Sequence, residues 1–178
     1  MSIIAINSGL NALVTLKELF SSNSNKEEQK RNMEIVLRQY NAEVLYNTKM
    51  LDTINFNSRL NDDRLGALRS IAPLLKNEYG KTIVASLGFY GKSLDSIEEQ
   101  AKLIDEDTLS DGGLSLKVKI IFTVNRIEVL QNLARMPNER YTKKINVSVR
   151  LKNIRNYTKD ICNAFSKSFE NIVNQILV

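Results

Sequence analysis

The chain has 178 residues, 43% of them hydrophobic and 25% charged, with a formal net charge of +5 at pH 7. That length and balance suit one globular domain with a sizeable core and set intrinsic disorder aside. Histidine is absent and Cys162 is the single cysteine, which excludes an intrachain disulfide framework, the usual zinc ligand sets and the commonest general base.

Seven glycines and two prolines are few for this length and favour long helices over turn-rich β architectures. No run approaches the roughly 20 apolar residues of a membrane span. Met1–Ile6 lacks the basic leading segment of a signal peptide, so the expected location is the cytoplasm. Asparagine is common throughout and carries no functional reading by itself.

From about Ile3 to Phe20, the residues Ile3, Ile6, Leu10, Leu13, Leu16 and Phe20 share one helical arc opposite Asn7, Asn11 and Glu18. This is an amphipathic N-terminal helix (residues 1–20), and Ile3, Ile6, Leu10, Leu13 and Phe20 are candidate interface residues. After a polar break at Ser21–Asn25, Ser24 and Glu27 form a capping box for a long second helix. Its stripe of Met33, Val36, Leu37, Tyr40, Val44, Leu51 and Ile54 spans about seven turns.

Asn61-Asp62-Asp63 caps a further helix carrying Leu65, Leu68, Ile71, Ala72 and Leu75, which Pro73 kinks or restarts. Leu94, Ile97, Ala101 and Ile104 resume a helical stripe, and residues 105–113 form the clearest loop. Residues 114–124 and 144–152 alternate well enough for a small β-hairpin, which would make the fold α+β. Helical periodicity fits both stretches too and runs much further, through Leu133 and Met136 in one case and through Ile172 and Ile176 in the other. The expected architecture is therefore all-α, an antiparallel bundle of about five or six helices in one domain, 1–178, ending in a basic helix over 138–178.

Chemistry-bearing motifs are incomplete. Ser86–Ser93 ends in Gly-Lys-Ser as a phosphate-binding loop does, but Ser86 stands where the leading glycine belongs. Gly80-Lys81-Thr82 is a second near miss. Asp105, Asp107 and Asp111 fail the calcium-loop spacing, because Leu109 and Ser110 occupy a ligand and a glycine position. Cys162 has no histidine to activate it and reads as packing. The reading is non-enzymatic, with no cofactor, metal or small-molecule substrate.

Charge is more informative. Between Arg135 and Lys167 nine basic residues face two acidic ones, a net +7, whereas the rest of the chain carries −2. On a single helix Lys144, Lys152, Arg155 and Lys159 fall within about 80° of arc. They are candidate nucleic-acid-binding residues; a solvated face or contact with an acidic protein are the alternatives. The leading expectation is a structural or interaction protein that self-associates or docks to a larger assembly through apolar helix faces. The alternative is a nucleic-acid-binding accessory protein using the basic C-terminal helix.

Overall fold

A computed structural model describes residues 26–57, 59–86, 116–170 and 172. These contain α1 (Lys26–Asp52), α2 (Arg59–Asp62), α3 (Arg64–Ile71), a 3-10 turn (Ala72–Leu74), α4 (Glu78–Ser86), α5 (Leu116–Arg135), α6 (Glu139–Thr142) and α7 (Val147–Lys167). Five of the helices reach eight residues or more, and no strand occurs among the described residues. The all-α expectation holds. The hairpin alternative does not, because the described parts of 114–124 and 144–152 lie within or lead into α5 and α7.

Local signals explain the boundaries. Asp63 caps α3, its Oδ1 accepting from the Gly66 amide at 2.9 Å. Pro73 lies inside the 3-10 turn, where the chain leaves the helix before restarting at Glu78. The basic C-terminal helix is shorter than 138–178. Asn138 caps the four-residue α6, the chain turns at Lys143–Lys144, and Asn146 caps α7 afresh through the Val149 amide at 3.0 Å. Two asparagine caps within nine residues break what periodicity alone reads as one element.

α1 and α7 run antiparallel, since Arg38 lies over Phe169, Tyr40 meets Phe165 edge-on and Asp52 reaches Lys159. α5 is antiparallel to α7 as well, through Lys119–Asp160 and Arg126–Tyr157. α4 packs against both α1 and α5, as α7 does. The core forms two clusters along the bundle. One gathers Leu37, Tyr40, Ile83, Ile120 and Ile161; the other gathers Leu51, Leu68, Ile127, Leu130 and Ile154. Each fully buried aliphatic side chain contributes about 1.5–3 kcal/mol.

α5 is buried on several sides: Ile120 through Val124 are all buried, which covers a full turn. The Leu75–Asn77 link is held by side chains from both neighbours. Asn47 both donates to the Lys76 carbonyl and accepts from its amide, at 2.7 and 2.8 Å. Asn77 donates to the Val124 carbonyl, and Gln131 to the Leu75 carbonyl. A connection that buries its backbone needs such partners.

Candidate interaction surfaces

Of the near-miss motifs, the one that lies among the described residues is engaged within the fold. Gly80-Lys81-Thr82 lies inside α4: Lys81 is ion-paired with Glu128 at 3.0 Å and Thr82 donates to the Glu78 carbonyl. The Gly80 amide that would face a phosphate donates instead to Glu43 Oε2 at 3.0 Å. Ser86 ends α4, while the rest of the Ser86–Ser93 motif and the 105–113 loop lie outside the described residues. Among the described residues no cluster of acidic and sulfur side chains is placed to hold a metal ion. Cys162 is half-buried, 3.9 Å from the Thr48 hydroxyl, and burial pushes its thiol pKa up, away from a reactive thiolate.

Glu43 is the least expected group. Only 6% exposed, it accepts from the backbone amides of Glu78, Tyr79 and Gly80 at 2.7–3.0 Å, so α1 supplies the N-terminal cap of α4. Burial holds its carboxyl above the ordinary range; the three amide bonds oppose that rise and the Glu78 carboxylate adds to it. Beside it opens a cavity of about 360 Å³, lined by Gln39, Ala42, Lys76, Asn77 and Tyr79 among others.

The outer face of α1 runs along this cavity. Ile35 and Tyr46 are 54% and 39% exposed, Ala42 is exposed, and these three lie within about 40° of one another around the helix. Leu45 (45% exposed) flanks them, and the Lys76 ammonium stands 4.3 Å from the Tyr46 ring centre. α1 therefore has one apolar stripe buried in the core and, on its outer face, exposed apolar residues interspersed with Arg31, Gln39 and Lys49. The candidate interface residues Ile3, Ile6, Leu10, Leu13 and Phe20 lie outside the described residues.

The four candidate basic residues separate into two kinds. Lys144 is exposed in the turn before α7, and Lys152 is exposed on α7 itself. Arg155 and Lys159 are both engaged by Asp52 at the end of α1: Lys159 Nζ is 2.7 Å from Asp52 Oδ1, and Arg155 Nε is 3.9 Å from it. Arg155 also covers the Phe56 ring at 4.6 Å. Lys152, Arg155 and Lys159 share one side of α7 with Ser148 and Ser166, and α7 itself contributes no carboxylate to that side. The two acids of the basic segment are spoken for, Asp160 by Lys119 and Glu139 by Lys143.

Periodicity had the means to find Glu43, which lies seven residues from Val36 and three from Tyr40, on the apolar stripe itself. A carboxylate there announces a buried donor. Arg126 stands likewise seven residues before Leu133; it is 2% exposed, with its guanidinium 5.2 Å from the Tyr157 ring centre. Asp52 gave no such signal, since its partners come from more than 100 residues away. No helix among the described residues is long and apolar enough to cross a membrane. No family model, curated protein or solved structure matches the chain.

Proposed function

We propose that this protein is non-enzymatic and works in the cytoplasm through protein contacts, self-associating through the outer face of α1. The observation that carries this reading is the exposed row of Ile35, Ala42, Leu45 and Tyr46 on a helix whose opposite side is fully engaged in the core. A soluble helix ordinarily presents polar side chains on its outer face.

The row also suits a second copy. Ala42 lies midway between Arg38 and Tyr46 and midway between Gln39 and Leu45. Two α1 helices crossing antiparallel at Ala42 would bring each Gln39 beside the partner's Leu45, with the small central side chain permitting close approach. The adjacent cavity gives a partner side chain room to enter.

Light scattering on the full chain after size-exclusion chromatography tests this. At about 1 M salt, where the screening length is about 3 Å, an apolar association persists. The expected result is an oligomer that survives this salt and becomes monomeric in the Ile35→Glu/Tyr46→Glu variant. A monomer at every concentration, or an oligomer indifferent to that variant, would sink the proposal.

A further inference from the structure

The outward side of α7 calls for a different partner. Helix stability does not account for its charge. Lys143 and Lys144 precede the N-terminus of α7, and the first turn contains Arg150 and no acid. Positive charge at that end opposes the helix dipole, so these cations cost stability where acids would add it. Solubility does not require a single sign either, since mixed charge serves as well.

Among the described residues Lys144 and Lys152 have no acidic partner, and Arg140 and Arg135, both exposed, lie on the segment leading into α7. α2 docks at the same end, where Asn61 Oδ1 accepts from the Ser148 amide at 3.3 Å; two residues before it stands Arg59, also exposed. Asp52 is the one carboxylate, among the described residues, that engages the cations of the α7 ridge, and it holds two of them.

We propose that this side of α7, with the turn before it, binds the phosphate backbone of nucleic acid through Lys144, Lys152 and Lys159, with Arg155 behind them, and that Asp52 is its built-in competitor. A phosphate arriving at Lys159 or Arg155 must displace the Asp52 carboxylate. Contacts of this kind carry no sequence information. The nearby rings are already covered by arginines, Phe56 by Arg155 and Tyr157 by Arg126, so base stacking adds little. The surface is therefore a sequence-indifferent one, independent of whether α1 self-associates.

The test is fluorescence anisotropy of labelled single- and double-stranded DNA and RNA oligonucleotides against the full chain, between 50 and 200 mM salt. Four phosphate contacts predict a loss of roughly 100-fold across that range. Asp52→Asn should tighten binding on the order of 5-fold at low salt, because Lys159 and Arg155 no longer have a competing carboxylate to shed. Lys144→Glu/Lys152→Glu/Lys159→Glu should abolish binding, and the single Lys152→Glu should weaken it, with helical content unchanged by circular dichroism.

Absence of binding by both the wild type and Asp52→Asn at 50 mM salt overturns the proposal. So does binding that ignores the reversals, binding unchanged by Asp52→Asn, or binding confined to vesicles of anionic lipid.

Discussion

Glu43 and Asp52 stand nine residues apart on the same helix, and their surroundings give the same charge opposite consequences. Glu43 points inward and meets the N-terminus of α4, where three unsatisfied amides and the positive end of a helix dipole await an anion. Asp52 is the last residue of α1, at the negative end of its own helix, 43% exposed and paired with Arg155 and Lys159. One carboxylate fastens two helices together. The other pairs with two cations of an exposed ridge. A sequence-level charge count treats them alike, and only the tertiary partners separate them.

The largest effect belongs to the inner carboxylate. Glu43→Ala strands three amides of α4 beside a cavity, and removing a charge-assisted cap of this size should cost about 3 kcal/mol in urea unfolding. Glu43→Gln should cost less but remain destabilising, since its amide nitrogen cannot accept from one of those donors. The pH dependence follows from the raised pKa. The native state holds this proton more tightly than the unfolded chain, so the stability it adds is present at low pH and lost as pH rises through the raised value. Wild-type stability relative to Glu43→Gln should therefore fall as pH climbs from the ordinary carboxylate range. A rising difference would mean that the amides outweigh desolvation.

A smaller effect tests how tightly the same region is built. A Cβ at Gly80 would sit 2.7 Å from Val124 Cγ2 and 3.0 Å from both Tyr40 Cε2 and Asn77 Oδ1. Gly80→Ala gains helix propensity of about 1 kcal/mol yet overpacks the α1–α4–α5 contact. We expect net destabilisation of about 1–2 kcal/mol by the same unfolding measurement, because α4 must back away from the Glu43 oxygens. A stabilised variant would show that α4 is loosely seated and would shrink the difference between the two regions.

The two regions were unequally legible in the sequence. α1, α5 and α7 were legible because their apolar stripes run for five turns or more, a period no strand can imitate. The break at 138–146 was not, because Asn138 and Asn146 act as caps only once their own turns have formed, and asparagine is too common here to stand out. The outer row of α1 escaped notice for a related reason. Ile35, Leu45 and Tyr46 adjoin the core residues Val36 and Val44 in the sequence, and their exposure depends on which side of α1 the core takes. The ridge on α7 was legible as charge but not as availability, since Asp52 is contributed from another helix.

Asp52→Asn supplies the smallest effect on stability and the sharpest comparison. Its ion pair with Lys159 is nearly half exposed on both sides, so water and salt leave it about 0.2–1 kcal/mol. Against that, a negative charge at the C-terminus of α1 opposes the helix dipole by about 0.3–1 kcal/mol, which the asparagine relieves. The two terms nearly cancel, and unfolding should shift by no more than about 0.5 kcal/mol in either direction. The comparison with Glu43 turns on this near-zero. If losing Asp52 costs the fold nothing while changing how the α7 ridge meets phosphate, the carboxylate has a role beyond holding helices together. A loss above about 2 kcal/mol would instead make Asp52 a structural clamp like Glu43, with Arg155 and Lys159 belonging to the fold rather than to a partner.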